Sequence, residues 1–212
     1  MAVDEALFSS SGGPCLRLYS WADPTLSLGY FQKPADIEVP PGWNVVRRVT
    51  GGGAIAHDHE ITYSLTGPDS ADLLSDKLEL YERVHKAWMK ALKSFGVATR
   101  FRKGLREGRG GSPWCFTKGD PLDLVLSDGR KILGSAQRRS QGRVLLHGSL
   151  PLRGQPLMGG TGLEEILGRS LSWGEVTDTL LPTFLSELGM LPRPSELSPE
   201  EWKSVEALEN AS

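Results

Sequence analysis

The chain has 212 residues, of which 39% are apolar and 24% charged, and its formal net charge is −2. This length suits one domain that buries a full core without metals or disulfides. The near-neutral charge excludes a global attraction to nucleic acid or to an anionic membrane. No apolar run reaches the roughly 18 residues of a transmembrane helix, and the N-terminus lacks the basic and apolar regions of a secretory signal. We therefore expect a cytoplasmic protein whose two cysteines, Cys15 and Cys115, are free thiols without metal-ligand spacing.

The first half of the chain predicts a short helix, several strands and one long helix. The short helix covers residues 2–8. Alternating apolar and polar residues, or runs of β-formers, then indicate strands at 16–21, 25–29, 43–48 and 61–65. The clearest pattern covers 72–95, where apolar residues recur at spacings of three and four and predict an amphipathic helix that stops at Gly96.

The second half predicts mainly strands, followed by two helices. A strand at 97–101 leads into a loop rich in glycine, arginine and lysine at 103–113. Three strands (122–126, 131–136 and 144–150) and two helices (173–188 and 198–208) follow, with a tight turn at Ser127-Asp128-Gly129. This succession predicts an α+β fold in which helices flank a mixed β-sheet. We expect one catalytic domain over residues 1–212, with a core at 1–152 and a helical extension at 153–212.

The segment Arg47-Arg48-Val49-Thr50-Gly51-Gly52-Gly53-Ala54-Ile55-Ala56-His57 is the first candidate site. Three successive glycines remove every side chain, so a ligand can approach bare backbone closely. The two arginines add fixed charge and forked donors. The residues alone leave open a tight glycine turn with two solvated arginines, and the segment is neither a dinucleotide-binding nor a phosphate-loop motif.

Two further segments place polar residues among small ones. Lys131 opens the segment Lys131-Ile132-Leu133-Gly134-Ser135-Ala136-Gln137, from which its ammonium could face a carbonyl or a neighbouring thiol. In isolation, a surface lysine at a hairpin is the simpler interpretation. His147 precedes Gly148 on a predicted strand and, on its own, is most simply a structural hydrogen-bonding group.

Cys115 lies in Pro113-Trp114-Cys115-Phe116, after a cationic stretch containing Lys103, Arg106 and Arg109. Nearby positive charge favours the thiolate, which is the nucleophilic form of cysteine. A thiolate can accept an acyl group from one thioester and pass it on, which splits one transfer into two steps. The local sequence alone favours an inert, buried cysteine instead.

Together these segments resemble the superfamily of lipoate–protein ligases and octanoyltransferases, to which biotin–protein ligases are also related. The resemblance extends over residues 1–152. It rests on MAVDEAL, on Trp21 with PTLSLGYFQ, on RRVTGGGAIAHDHEITYS, on KILGSAQRR and on LLHGSL. It implies a biotin/lipoate ligase catalytic-domain fold with the acyl chain in a tunnel. The arginine-glycine segment is more similar to that of lipoate enzymes than to that of biotin ligases.

The resemblance also implies roles for individual residues. Lys131 would contact the acyl carbonyl or the nucleophile, and Cys115 would carry the acyl group as a thioester. The remaining implied residues would line the substrate site: Arg48, Gly51, Gly52, Gly53, Ala54, His57, Ser135, Ala136, His147 and Gly148.

Cys115 distinguishes between branches of the superfamily. A cysteine followed by phenylalanine, about fifteen residues before the lysine, is similar to the Gram-positive type of octanoyltransferase, and here the interval to Lys131 is sixteen. The resemblance therefore implies transfer from octanoyl-acyl carrier protein to a lysine of a lipoyl domain or of a protein like the glycine-cleavage H protein. No cofactor is expected for this transfer. The loop at 103–111 would dock the carrier or simply be solvated.

Two alternatives remain open at the level of sequence. The first is an ATP- and magnesium-dependent lipoate–protein ligase that would need an accessory domain on a separate subunit. The 60 residues after residue 152 are short for such a domain, which favours transfer without activation. The second is a non-catalytic protein that binds acyl groups or carriers during assembly. Neither alternative involves nucleic acid or a membrane.

Overall fold

The computed structural model describes residues 1–104, 112–117, 119–154, 159–191 and 193–210. Its helices are α1 (Ala2–Ser9), α2 (Lys77–Ser94), α3 (Leu163–Leu167), α4 (Trp173–Leu188) and α5 (Pro199–Asn210). Its strands are β1 (Cys15–Tyr19), β2 (Thr25–Leu28), β3 (Asn44–Arg47), β4 (Ile55–His57), β5 (Glu60–Pro68), β6 (Arg100–Phe101), β7 (Leu124–Val125), β8 (Lys131–Ser140) and β9 (Arg143–Pro151).

The strands form two sheets. The larger sheet has six antiparallel strands in the order β1-β5-β9-β8-β7-β6, and the smaller has the order β3-β2-β4. In the smaller sheet β2 pairs in parallel with β3 and antiparallel with β4. The predicted α+β fold with helices flanking sheet is thus confirmed.

Helices α2 and α4 cover one face of the large sheet. Residues spaced three or four apart on α4, from Val176 through Leu180 and Phe184 to Leu188, are buried in the same core as the apolar face of α2. The rings of Trp88 and Phe184 meet edge to face with centroids 5.3 Å apart. This apolar layer fixes the positions of the sheet strands on which the site is built.

The opposite face of the large sheet is polar. Because side chains alternate across a strand, Tyr63 and Leu65 of β5 enter the core while Thr62 and Ser64 point to the other side, where they bond to Glu60 and Asp4. The small sheet and α1 lie on this polar side, and α5 contacts α1. A cavity therefore remains between two sheets whose facing surfaces carry hydrogen-bonding groups.

Several predicted boundaries differ from the structure. The long helix begins at Lys77 rather than at residue 72, because Asp76 caps it by accepting from the Glu79 amide, and Asp72–Leu74 is a separate 3₁₀ turn. Strand β4 and helix α3 were not predicted; each is at most five residues long. The turn at 127–129 is confirmed, with Gly129 at φ +89°. Most of the predicted loop at 103–113 lies outside the described residues, so its docking role stays a prediction.

No helix in the described part of the chain combines the length and the apolar character needed to cross a bilayer.

Candidate active site

The candidate site is a pocket between the two sheets. The small-sheet side contributes the glycine-rich segment and His57, and the large sheet contributes residues of β8 and β9. Its walls are formed by Met1, Tyr19, Trp21, Arg48, Gly51, Gly52, Ile55, His57, Thr62, Cys115, Gly134, Ser135, Ala136, His147, Gly148 and Ser149.

Backbone hydrogen bonds hold the Cys115 segment against the glycine-rich segment. The Ala54 amide donates to the Pro113 carbonyl at 2.8 Å, and the Cys115 amide donates to the Ala54 carbonyl at 2.9 Å. Gly53 makes this approach possible, because a Cβ at that position would lie 2.7 Å from the Cys115 nitrogen and from the Pro113 oxygen. The third glycine is thus required for packing, and the cysteine is fixed at one end of the pocket.

Lys131 lies beside Cys115. Its Nζ is 3.8 Å from the Cys115 Sγ and donates to the Cys115 carbonyl at 3.1 Å. On its other side, Nζ is 2.9 Å from Oδ2 of Asp123, whose side chain is 2% exposed. A Cβ on Gly134 would be 2.4 Å from the Lys131 Cε, so glycine leaves the space that the end of the lysine side chain fills. These contacts define an ionic corner made of Cys115, Lys131 and Asp123.

The electrostatics of this corner keep the lysine charged. Burial disfavours the ammonium, but the negative charges of Cys115 and Asp123 outweigh burial and raise the pKa of Lys131. Burial also raises the pKa of Asp123, and the Lys131 charge acts against that rise. The two buried charges therefore depend on each other.

Arg48 is a second buried cation on the pocket wall. Its Nη1 donates to the Ser27 carbonyl and to the Ser27 Oγ at 2.7 Å each, and its Nη2 donates to the Gly53 carbonyl at 2.8 Å. Its Nε is buried and has no hydrogen-bond partner among the described residues. The guanidinium thus shapes the glycine segment and retains one donor.

His57 is held in place on the pocket wall by groups at both of its ring nitrogens. Its Nδ1 is 2.5 Å from the buried Glu60 carboxylate, and its Nε2 is 2.5 Å from the Ser27 Oγ. Because a carboxylate only accepts hydrogen bonds, Nδ1 carries the ring proton and donates a hydrogen bond to Glu60. The ring stacks on Trp21 with centroids 4.2 Å apart, so the pair presents a flat apolar surface to the pocket.

His147 is fixed in a similar way. Its Nε2 is 2.6 Å from the Thr50 Oγ1, and its Nδ1 is 3.7 Å from the buried Asp4 carboxylate. Burial lowers the pKa of His147, with Asp4 acting against it. Burial also opposes the charge on Asp4, but His147, Arg17 and a hydrogen bond from Ser64 outweigh it and hold that carboxyl well below its ordinary pKa.

A third histidine supports Ser135 from the core side. The His85 Nδ1 donates to the Leu122 carbonyl at 2.5 Å, and burial lowers the pKa of His85 to about 4. The neutral Nε2 therefore accepts from the Ser135 Oγ at 2.7 Å, and that oxygen in turn accepts from the Tyr63 hydroxyl at 2.5 Å. His57 and His147 on the pocket wall, with His85 behind them, are called the histidine wall below.

The structure brings most of the predicted site residues together. Cys115 and Lys131 are in contact. Gly53 and Ala54 lie behind the wall, where they position the Cys115 segment. The other predicted residues line one pocket: Arg48, Gly51, Gly52, His57, Ser135, Ala136, His147 and Gly148.

Sequence reasoning missed Asp123 and His85. Asp123 interrupts the apolar run Leu122 to Leu126, and a carboxylate inside a buried strand beside a lysine-bearing strand was a usable signal. His85 lies on the buried face of the long helix and gave no separate signal. Among the described residues, no group of three or more histidine, cysteine or acidic side chains is placed to hold a metal ion.

The fold and the pocket together define an α+β catalytic domain of the lipoate-ligase type. The chain belongs to the lipoyl protein ligase A/B catalytic domain family, whose model matches residues 1–170.

Similar proteins agree with this assignment. The octanoyltransferase LipM of Kyrpidia tusciae is 33% identical over 98% of this chain and 89% of that protein. The octanoyltransferase LipM of Carboxydothermus hydrogenoformans is 40% identical over 72% of this chain and 60% of that protein. Among solved structures, protein Ta0514 of T. acidophilum with bound lipoic acid has a TM-score of 0.79 at 22% identity, over 99% of this chain and 88% of that one. At this identity the structural likeness shows the fold alone.

Proposed function

We propose that this chain is a protein octanoyltransferase that moves an octanoyl group through a thioester on Cys115. The observation that carries the proposal is the Lys131 ammonium, 3.8 Å from the Cys115 Sγ at one end of the pocket. A cysteine beside a fixed cation at a substrate pocket is the arrangement that nucleophilic acyl transfer requires. The similar proteins that carry the name octanoyltransferase support the choice of acyl group.

In the first step, the Cys115 thiolate attacks the carbonyl carbon of an octanoyl thioester on a carrier-protein arm. A new S–C bond forms, the carbonyl electron pair moves to oxygen, and collapse of this intermediate expels the carrier thiolate, which takes up a proton from solvent. The Lys131 ammonium stabilises both the attacking sulfur and the developing oxyanion.

In the second step, the neutral amine of an acceptor lysine attacks the Cys115 thioester. The C–N bond forms, the C–S bond breaks, and Cys115 leaves as a thiolate beside the Lys131 ammonium. The surplus proton of the amine passes to solvent. Each step starts from a thioester, so the sequence needs neither ATP nor a metal ion.

The partners follow from these two steps. The donor is octanoyl-acyl carrier protein, and the acceptor is a lipoyl domain or a protein like the glycine-cleavage H protein. The accessible surface of the pocket, to which Met1, Trp21 and Ile55 contribute, is mostly apolar, as an eight-carbon chain needs. We further propose that residues 1–212 act as one catalytic unit, since α4 packs on α2 and α5 on α1.

Transfer by Cys115→Ser tests this function, with Cys15→Ser as the matched control. Cys15 is the other free thiol and lies on edge strand β1, where burial raises the pKa of its thiol. Octanoyl-acyl carrier protein should add one octanoyl mass to the wild type and to Cys15→Ser, mapped to Cys115. Cys115→Ser should carry no thioester and should lose transfer to a lipoyl domain by about 10³-fold or more.

The same assay includes an arm with ATP, magnesium and free octanoate or lipoate. Transfer that depends on ATP and persists in Cys115→Ser would show that the chain is a ligase and not a transferase. Tight binding of octanoate without turnover in either arm would point to a non-catalytic acyl-binding protein.

A further inference from the structure

Among the described residues, the Cys115 sulfur and the Asp123 carboxylate both act to raise the pKa of Lys131, and the proposed reaction removes the charge of the first. In the resting enzyme its ammonium faces the Cys115 sulfur at 3.8 Å and the Asp123 carboxylate at 2.9 Å. Once Cys115 carries an acyl group, its sulfur is a neutral thioester. The lysine then keeps only one of the two charges that opposed its burial.

We propose that Asp123 is a positioning residue that keeps the Lys131 ammonium charged and aimed at the sulfur while Cys115 is acylated. The inference rests on the proposed function, and it assigns Asp123 mainly to the second half of the reaction. There the ammonium must be present to stabilise the oxyanion and the departing thiolate.

The geometry around Asp123 supports a fixed role. Its side chain is 2% exposed, and the Asp120 amide donates to its Oδ2 at 2.7 Å. The Asp123 amide donates to the Asp120 carbonyl at 3.0 Å, so a tight turn holds the residue just before β7. The empty side of Gly134 admits the lysine between Asp123 and Cys115, because a Cβ there would be 2.5 Å from Nζ and 3.2 Å from the Asp123 Oδ1.

Among the described residues, the other groups facing this corner do not take the place of Asp123. From α2, His85 is neutral at working pH because burial lowers its pKa to about 4, and Tyr81 is neutral because burial raises its pKa well above the ordinary value. Phe116 presents its ring 5.4 Å from Nζ. Arg48, which also lines the pocket, is a cation. Asp120 holds the Asp123 side chain through its backbone amide, and its own carboxylate accepts from the Leu122 amide at 3.0 Å.

The sign of the pH effect follows from these charges. Burial lowers the pKa of the ammonium, and Cys115 and Asp123 together overcome it. In an acylated Asp123→Asn chain neither charge remains, so the pKa of Lys131 falls below its ordinary value, and buried lysines can titrate as low as about 5–6. The charged fraction is then lost as pH rises through that lowered pKa.

The experiment measures the two half-reactions separately at a series of pH values. Octanoyl-acyl carrier protein loads Cys115, and mass spectrometry follows loading. The purified acyl-enzyme then reacts with an unlipoylated lipoyl domain in a single turnover. Each variant rate is divided by the wild-type rate at the same pH, which cancels titration of the acceptor amine.

For Asp123→Asn we expect the rate of the second half-reaction, relative to wild type, to fall about tenfold or more between roughly pH 6.5 and 9. Loading should fall by a smaller and less pH-dependent factor, because the Cys115 thiolate itself then pairs with Lys131. The matched control Asp128→Asn, on the same hairpin with a 49% exposed side chain, should leave both half-reactions unchanged.

Asp123→Glu keeps the carboxylate and guards against a purely structural effect. It should retain the wild-type pH profile even if both rates drop, whereas a packing role predicts the same profile for Asp123→Glu and Asp123→Asn. An Asp123→Asn ratio that stays flat with pH, or equal losses in the two half-reactions, would overturn the inference and leave the proposed function standing. A wild-type chain that forms no adduct on Cys115 would overturn both.

Discussion

The pocket is bounded by two regions whose buried polar groups are stabilised in different ways, one by ion pairing and the other by hydrogen bonds. The ionic corner concentrates charge around Cys115, with Lys131 and Asp123 both almost fully buried. The histidine wall also contains buried titratable groups, but each histidine has a nearby proton acceptor or hydroxyl at both ring nitrogens. The contrast indicates that ionic groups surround the sulfur where bonds would break, whereas hydrogen bonds fix the imidazoles of the wall.

The difference has an energetic basis. A buried charge is costly unless it is paired, and removing one partner leaves the other uncompensated. A buried neutral imidazole with both nitrogens satisfied costs much less and stays rigid. Substitutions in the ionic corner should therefore change reactivity most, and substitutions in the wall should mainly change stability and its pH dependence.

Among the substitutions in the ionic corner, Lys131→Met is expected to reduce transfer the most. Methionine fills a similar volume but removes the ammonium beside the sulfur, so we expect transfer to fall by about 10²–10³-fold. Single-turnover octanoyl transfer measures the loss. Lys86→Met is the matched control, since Lys86 is 55% exposed and pairs with Glu82 on the surface of α2. A Lys131→Met chain that transfers at the wild-type rate would show that the ammonium takes no part in the reaction.

Gly53→Ala tests whether the position of Cys115 matters as much as its charge environment. The new Cβ would meet the Cys115 nitrogen at 2.7 Å and displace the segment. We expect a transfer rate lower by about 10²-fold, because misplacing a reacting group by about 1 Å has effects of that size, and a loss of about 1–3 kcal/mol in unfolding free energy.

The matched control for this substitution is Gly13→Ala, where an added Cβ meets nothing within 4 Å. Gly13→Ala should leave transfer and urea unfolding close to wild type. If Gly53→Ala and Gly13→Ala behave alike, the close approach of the two segments has no catalytic consequence.

The smallest effect at neutral pH is expected in the wall and concerns stability. The pKa of His85 is lowered to about 4 in the folded chain, whereas an unfolded histidine titrates near 6.5. Between these values the unfolded chain binds more protons, so stability falls as pH falls from about 6.5 to 4. One histidine shifted this far contributes about 3 kcal/mol to that loss.

Urea unfolding at several pH values measures how the unfolding free energy changes with pH. The His85→Gln substitution should reduce this slope by the contribution of about one bound proton. His147, whose pKa is also lowered by burial, accounts for part of the remaining slope. His59→Gln is the control, because the His59 side chain is 40% exposed. An unchanged slope in His85→Gln would show that this imidazole is not held neutral by burial.

Local pattern predicted the parts of the fold whose boundaries are set by neighbouring residues. Helix α4 has its predicted bounds because Ser172 caps its start and Gly189, at φ +65°, ends it. The start of α2 was misplaced because residues 72–76 continue an apolar pattern that the Asp76 cap interrupts. Strand β4 has three residues and depends on pairing with β2, which no local pattern reveals.

The same distinction between local pattern and contacts with other segments applies to the residues of the candidate site. The glycine triplet, Lys131 and the small residues of β8 stood out because their sequence is unusual. Cys115 did not, since its own neighbours favoured an inert thiol, and only the resemblance to a family separated the two interpretations. Asp123 went unnoticed because its role depends on contact with Lys131 across the β7–β8 hairpin, and the sequence alone does not give the register that brings the two side chains together.

The backbone bridge between Ala54 and Trp114 links segments about sixty positions apart. Closing so long a loop costs entropy that only the folded sheets repay, so in a nascent or damaged chain Cys115 and the glycine segment drift apart. Such a chain carries an ordinary cysteine with no cation beside it. On the proposed mechanism, acyl capture by Cys115 therefore requires the folded chain.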